Sequence, residues 1–364
     1  PCSANKLVLF GTKMTSRVII VGGGLSGMSA AHTVLQAGGN VLVLDKSPFN
    51  GGNSTKATSG INAAGTTSQR ARGITDFPET FEDDTTKSAA AGARPHLIRT
   101  LTHQSGPCVE WLKNDFNLDL SVVSRLAAHT NPRTHRGGSG GQFPGMMITY
   151  ALMEALDAIV EQDDGRAEVI NRAKVHTLIK DGDSVIGCEY TDADGNNHQE
   201  FGPVILCTGG FGADFTEGSL LAKVQPEWRA ANAWQEGYVH PLQVKPQGKI
   251  PVPDLLSLPT TNGPHCTGDG VKMAVDAGAA TCDLQYVQVH PTGLVDPRDP
   301  HAKVRWLAAE ALRGHGGILL DNEGKRFCDE LGKRDYVTSR MWAHNKVNID
   351  AKTLCSALQS ASHV

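Results

Sequence analysis

The sequence predicts an α/β fold with a doubly wound parallel sheet, and three observations carry that prediction. Residues 18–45, VIIVGGGLSGMSAAHTVLQAGGNVLVLD, read as strand, glycine turn, helix and second strand. Residues 174–191 alternate around the turn Asp181-Gly182-Asp183, and Asp194-Gly195-Asn196 turns the chain again, which makes a β-meander. Val204 to Cys207 then reads as a short buried strand ending in Thr208-Gly209-Gly210-Phe211, which returns the chain to the sheet end where ligands bind in open α/β folds. A βαβ unit followed by such a return is Rossmann-like.

Each part of the opening unit has a physical task. Gly22, Gly24 and Gly27 meet the G-x-G-x-x-G spacing. Gly22 permits the tight turn, Gly24 lets backbone amides approach a pyrophosphate, and Gly27 lets helix and strand pack closely. The helix N-terminus adds N–H groups and the positive end of a dipole. Leu25, Met28, Ala31, Val34 and Leu35 keep helical spacing, Gly38-Gly39 ends the helix, and Val41 to Leu44 forms the next strand. Asp45 closes it, about 20 positions beyond the turn, where a carboxylate takes the hydroxyls of an adenosine ribose. His32 in this helix reads as a partly buried surface histidine.

A chain of 364 residues buries a large core and suggests two or three structural units. Its 40 glycines exceed the roughly 7% of average proteins, so many tight turns and close backbone contacts are expected. Lys+Arg 34 against Asp+Glu 38 gives a net charge of −4, and no basic stripe with interleaved aromatics occurs, which argues against nucleic acid. No run of about 18 apolar residues occurs, so no membrane span is expected. The eight cysteines have no C-x-x-C pair and no zinc spacing. No metal site is expected, and reduced thiols fit a cytoplasmic or mitochondrial setting.

Beyond Asp45 come Lys46, then Gly51-Gly52-Asn53-Ser54, Thr58, and Ser59-Gly60-Ile61-Asn62-Ala63-Ala64-Gly65-Thr66. These small residues suit an extended backbone that passes along a cofactor. Asp76 with Pro78 starts a helix to about Ala91, Arg94-Pro95 a second to about Gln104, and Ser105 to Asn114 is a third. His135 and Arg136, in a glycine-rich stretch, either meet an anionic ligand or stay solvated in a loop. A helix follows from about Pro144 to Glu161. Residues 225–253, with Trp228 and Trp234, lack periodicity and read as a long unstructured insert. Thr267-Gly268-Asp269-Gly270 then precedes a helix from about Val271 to Ala277.

The final third brings Gln288-Val289-His290-Pro291-Thr292-Gly293, Glu310-Ala311-Leu312-Arg313-Gly314, Asn322-Glu323-Gly324-Lys325-Arg326-Phe327 and Lys333-Arg334-Asp335. Glu310 and Arg313 are three apart, so on a helix they share a face and can pass a proton; the alternative is a routine surface ion pair. With the glycine fingerprint, GGNS, SGINAAGT, TGGF and TGDG, these motifs resemble the soluble fumarate reductases of the single-chain eukaryotic type. Those are FAD flavoproteins related to the succinate dehydrogenase flavoprotein subunit. The resemblance covers most of residues 14–342 outside the insert.

The resemblance implies an FAD-binding domain over 14–284, preceded by an extension over 1–13 and followed by an α+β capping domain from 285. FAD is expected on Gly22, Gly24, Gly27, Asp45, Lys46, Gly52, Asn53, Ser54, Thr58, Gly60, Asn62, Thr208, Gly209, Gly210 and Asp269. Membrane-bound relatives tether the cofactor through a histidine where this sequence has Gly52-Asn53-Ser54, so noncovalent FAD is expected. The implied reaction is hydride transfer from reduced FAD to fumarate, giving succinate. Arg334 protonates the other alkene carbon, Glu310 and Arg313 form the relay behind it, and His290 holds a substrate carboxylate. The electron donor stays open among NADH, reduced free flavin and a partner protein. Related flavoproteins oxidise L-aspartate or act on 3-ketosteroids, and Arg334, His290 and the Glu310/Arg313 pair favour a small dicarboxylate. An inactive FAD-binding protein is the alternative of a different class. The family's chain continues past this one, and residues 343–364 are unmatched, so an incomplete cap with impaired activity is a further expectation.

Overall fold

The computed structural model describes residues 17–89, 93–138, 142–162, 164–223, 255–284, 286–321 and 323–344. The extension 1–13, the insert 225–253 and the tail from 345 onward lie outside these residues. In chain order the elements begin with β1 (Val18–Val21), α1 (Leu25–Gln36), β2 (Val41–Asp45), β3 (Ile61–Asn62), α2 (Thr67–Ala71), α3 (Pro78–Ala89) and α4 (Pro95–Asp115). They continue with β4 (Val122–Ser124), β5 (Thr134–Arg136), α5 (Pro144–Val160), β6 (Ala167–Asn171), β7 (Lys174–Asp181), β8 (Ser184–Thr191), β9 (Asn197–Phe201) and β10 (Val204–Leu206). The last are α6 (Asp269–Asp276), β11 (Gly293–Leu294), β12 (Trp306–Leu307), α7 (Glu310–Gly314) and α8 (Arg334–His344). Two compact units result, one holding the chain up to Asn50 together with Leu156–Cys207, the other Gly51–Ala155 and the chain from Thr208 onward.

In the first unit a parallel four-stranded sheet runs in the order β10-β1-β2-β6. The strand order reverses at β1, so the glycine turn that follows β1 stands at a topological switch point, where open α/β sheets bind ligands. Ile19, Ile20, Leu42 and Val43 are fully buried, as continuous apolar runs in a parallel sheet require. Each such side chain contributes about 1.5–3 kcal/mol. Helix α1 buries Gly27, Met28, Ala31, His32 and Leu35. His32 is therefore a core residue, not a surface one, because its helical position places it on the face of Met28 and Leu35. The meander forms as β7-β8-β9. Strand β10 departs from its expected burial: Ile205 and Leu206 are each 36% exposed. Among the described residues it is an edge strand with one sheet neighbour, so its side chains lack flanking strand neighbours on one side.

In the second unit α4 replaces the two helices expected over 94–114 with a single one of 21 residues that contains Pro107. Proline removes one helical donor and usually marks an end. Here Ile98, Thr102, Ser105, Gly106, Val109 and Leu112 are buried along one side, and that packing outweighs the local signal. Sheet β3-β5-β4 is antiparallel, with Asn62 opposite Thr134 and Ile61 opposite His135. His135 is completely buried, its Nδ1 2.8 Å from the Arg133 carbonyl and its Nε2 2.7 Å from Thr66 Oγ1, so it is no solvated loop residue. Arg136 lies 3.3 Å from His315 Nε2. Beside them the fully buried Arg133 donates to both Asp76 oxygens at 2.9 and 3.1 Å and to Asp84 at 2.9 Å. Leu319, Val337 and Met341 form a further small core with Phe327, Cys328 and Tyr336 against it.

Candidate active site

The first unit carries the glycine fingerprint. Gly22 has φ +110° and donates its N–H to the Leu44 carbonyl at 2.8 Å, which carries the β1–β2 ladder up to the start of the turn. A Cβ on Gly27 would stand 1.9 Å from the Gly22 oxygen, so helix and turn approach as closely as the sequence pattern requires. Gly24 begins α1 without any side-chain cap, the setting in which a helix N-terminus takes a phosphate. Asp45 accepts the Gly23 N–H at 2.6 Å and the Ser47 N–H at 2.7 Å, one on each oxygen. The carboxylate is thereby fixed, and each oxygen keeps a second lone pair for a hydroxyl donor. These residues fit the adenosine diphosphate half of a dinucleotide. Lys46 follows directly on Asp45.

In the second unit Gly52, Asn53 and Ser54 form one short 3-10 turn, Gly52–Lys56. The Asn53 amide donates to Asn262 Oδ1 at 2.6 Å and to Cys266 Sγ at 3.0 Å, and its oxygen accepts the Gly263 N–H at 2.8 Å. Asn262 and Cys266 flank the same glycine turn and escaped sequence reasoning, since their link to Asn53 spans more than 200 residues. Gly60, at φ +133°, lies so close to β5 that a Cβ would be 2.3 Å from the His135 oxygen. Asn62 accepts from Thr134 Oγ1 at 2.6 Å. Thr58 Oγ1 is buried without a partner. Thr208 to Gly210 meet the segment before α6: the Gly268 N–H donates to the Gly210 carbonyl at 3.1 Å, and Thr267 Oγ1 donates to Asp269 at 2.7 Å.

The same unit holds the second constellation. Arg334, the first residue of α8, donates Nη2 and Nε to Glu310 Oε2 at 2.9 and 3.2 Å, and Nη1 to Gln288 Oε1 at 2.8 Å. Glu310 opens α7 and is 8% exposed, while the Arg334 side chain is 41% exposed. A buried carboxylate thus grips a guanidinium that still reaches solvent. Gln288 was not singled out by sequence, although it sits two residues before His290 in a quoted motif. Arg313, three residues after Glu310, is buried and donates Nη1 to the Glu330 carbonyl at 2.7 Å, and its Nε and Nη2 are buried without partners. Burial, together with the Arg334 charge and against that of Glu310, lowers its pKa. His290 is half-buried, with Nδ1 against the Thr292 N–H at 3.2 Å and the Thr292 carbonyl at 3.0 Å. Its Nε2 is buried without a partner. Burial first, then the charges of Arg334 and Arg313, push its pKa down to about 4, so the ring is neutral at pH 7. His290 also lines a cavity of about 170 Å³ with Thr260, Thr261, Arg305, Thr338 and Trp342.

Turn, helix dipole and fixed acid together define a dinucleotide-binding α/β protein with a cationic, donor-rich site elsewhere on the chain. The family described as FAD binding domain matches residues 17–361, and the chain belongs to it. FAD is accordingly its cofactor. The chain is 44% identical over 333 residues to the fumarate reductase of Schizosaccharomyces pombe, covering 91% of this chain and 60% of that protein. It is 38% identical over 327 residues to fumarate reductase 1 of Saccharomyces cerevisiae, covering 89% and 63%. Among solved structures it resembles the open conformation of a flavocytochrome c3 fumarate reductase, at 28% identity and a TM-score of 0.69, over 91% of this chain and 51% of that one. The chain thus spans about three fifths of the length of these curated relatives. Among the described residues no helix is long and apolar enough to cross a membrane.

Proposed function

We propose that this chain reduces fumarate to succinate with noncovalent FAD. One observation carries the proposal: Arg334 clamped on Glu310, beside buried donors of His290 and Arg313 that have no protein partner. Cationic and neutral donors left unsatisfied in a buried place call for an anion, and a dicarboxylate supplies two. FAD, when bound and reduced, supplies a hydride for one alkene carbon. His290 Nδ1 faces both the Thr292 N–H and the Thr292 carbonyl; in the tautomer that accepts the Thr292 N–H, the proton of the neutral ring stands on Nε2 and donates to a substrate carboxylate. Arg334 gives the proton to the other alkene carbon. A guanidinium has a pKa above about 12 and releases a proton reluctantly, so it needs replenishment. Glu310, hydrogen-bonded to two of its nitrogens, replaces the proton, and Arg313 completes the relay. Gln288 holds the third nitrogen and fixes the plane of the guanidinium. Noncovalent attachment is supported by the sequence Gly52-Asn53-Ser54, which has no histidine where membrane-bound relatives tether the cofactor, and by Asn53 being engaged by Asn262, Cys266 and Gly263.

The test is an absorbance spectrum of the purified chain, followed by anaerobic reduction and mixing with fumarate. Reoxidation of the flavin by fumarate is the expected result, and acid precipitation should release the flavin into the supernatant. Bound flavin that fumarate cannot reoxidise would overturn the proposal.

A further inference from the structure

The segment Asp321 to Glu330 contains the EGKRF motif, to which the proposed reaction assigns no task. Asp321 accepts the N–H groups of Glu323 and Lys325 at 2.8 Å each, and its own N–H donates to the Lys325 carbonyl at 2.9 Å. Leu320 and Arg326 bridge across the resulting turn, which has Gly324 at φ +77°. That turn delivers Arg326 to Glu330, with Nε at 3.0 and 3.1 Å from the two oxygens and Nη2 at 2.6 Å. The Leu319 N–H donates to the same carboxylate at 2.9 Å. An exposed Arg–Glu pair four residues apart contributes about 0–1 kcal/mol, but the Glu330 side chain is only 5% exposed. A buried carboxylate held by four hydrogen bonds fixes the backbone that carries it.

That backbone is what Arg313 grips: the Glu330 carbonyl accepts Nη1 at 2.7 Å. The same segment meets α8, since Leu319, Phe327 and Cys328 pack with Val337 and Met341 three and seven residues after Arg334. One turn therefore sets the position of Arg313 and supports the helix that begins at Arg334.

We propose that Glu330 is a positioning residue for the proton relay, its clamped carboxylate fixing the main-chain oxygen that orients Arg313. The proposal rests on the fumarate-reducing reading above. Glu330 is also among the groups whose charge supports that of Arg313 against burial.

The experiment is a double-mutant cycle on the flavin-loaded chain with Glu330→Ala and Arg313→Lys. Glu330→Ala should slow fumarate-dependent reoxidation about 10- to 100-fold, as misplacement of a reacting group by about 1 Å does. Succinate affinity, measured by calorimetry, should stay nearly unchanged. In the Arg313→Lys background Glu330→Ala should add no further loss, because both changes break one unit. Losses that multiply across the cycle would mean Glu330 supports the fold alone and would overturn the proposal. Glu330→Gln, which keeps the shape and the acceptor for Leu319, should fall between wild type and Glu330→Ala. If the wild-type chain is not reoxidised by fumarate, the functional reading fails, and the positioning claim is then read without turnover. The arginine Nε–H resonance that disappears in Arg313→Lys should broaden in Glu330→Ala while that of Arg133 stays unchanged. An unaltered Arg313 resonance would overturn it.

Discussion

Two arginines of the second unit, Arg133 and Arg313, are buried alike and partnered oppositely. Arg133 is 0% exposed, and its guanidinium meets Asp76 twice and Asp84 once. Those carboxylates are completed by Gln69, Asn131 and Thr130, and the guanidinium stacks 4.6 Å from the centre of Phe81. Arg313 is 4% exposed and gives one hydrogen bond to a carbonyl, with Nε and Nη2 unpartnered. A buried donor without a partner costs about 1–3 kcal/mol, and more when charged. The closed network is what structure alone requires. The open one persists because the surrounding chain imposes it, as at sites where a ligand or a transition state completes the set.

Substitutions sharpen this contrast. Arg334→Ala should have the largest effect on chemistry, slowing fumarate-dependent reoxidation of the flavin by about 10²–10⁴-fold, the range for a positioned general acid. Its melting temperature should fall less than that of an Arg133 variant, because one buried carboxylate, Glu310, loses its cation and the arginine itself is 41% exposed. Arg133→Ala should do the reverse. Two carboxylates would remain buried without their cation, a loss of about 3–5 kcal/mol that urea unfolding measures. Acid should act on the same network. Burial raises the Asp84 pKa, but the Thr130 donors and the Arg133 charge outweigh it and hold the carboxyl below its ordinary value. Its stabilisation is present above the ordinary carboxylate range and is lost as pH falls below it. An Arg133→Ala variant of full stability with impaired turnover would erase the distinction between the two arginines. Smaller again, His290→Ala should raise KM for fumarate about 10- to 100-fold with less change in kcat, the equivalent of one hydrogen bond to a charged group.

How much of this is legible in the sequence depends on how local the cause is. The opening βαβ unit is legible because glycine spacing, apolar runs and the closing Asp45 all lie within one stretch, and its close approach at Gly27 follows. Helix α4 is not, since Pro107 is a local breaker and only packing against distant residues shows that the helix continues. Strand β10 reads as buried from its three apolar residues, while its edge position is a property of the whole sheet. The Arg133 network is illegible because Asp76 and Asp84 stand 57 and 49 residues away with no spacing rule to connect them. The candidate site was reachable only through family motifs. Glu310, Arg313, His290 and Arg334 could be named from those motifs, whereas Gln288, though inside one, and Glu330, outside them, gain their meaning only from contacts that loops bring about.

The finest test of the contrast is the titration of His290. Burial, Arg334 and Arg313 place its pKa at about 4, below the ordinary histidine value of about 6.5. The unfolded chain therefore takes up the proton first as pH falls. The neutral ring contributes stability that is fully present above about pH 6.5 and is lost progressively as pH falls toward 4. The Cε1–H resonance that disappears in His290→Gln should stay flat between about pH 5.5 and 8 and move only near 4. Succinate should raise that midpoint, because a carboxylate placed against Nε2 favours the charged ring and offsets the two arginines. A midpoint near 6.5, unmoved by succinate, would mean that the ring feels neither the arginines nor the ligand. The open cluster would then be no more an anion site than the closed one around Arg133.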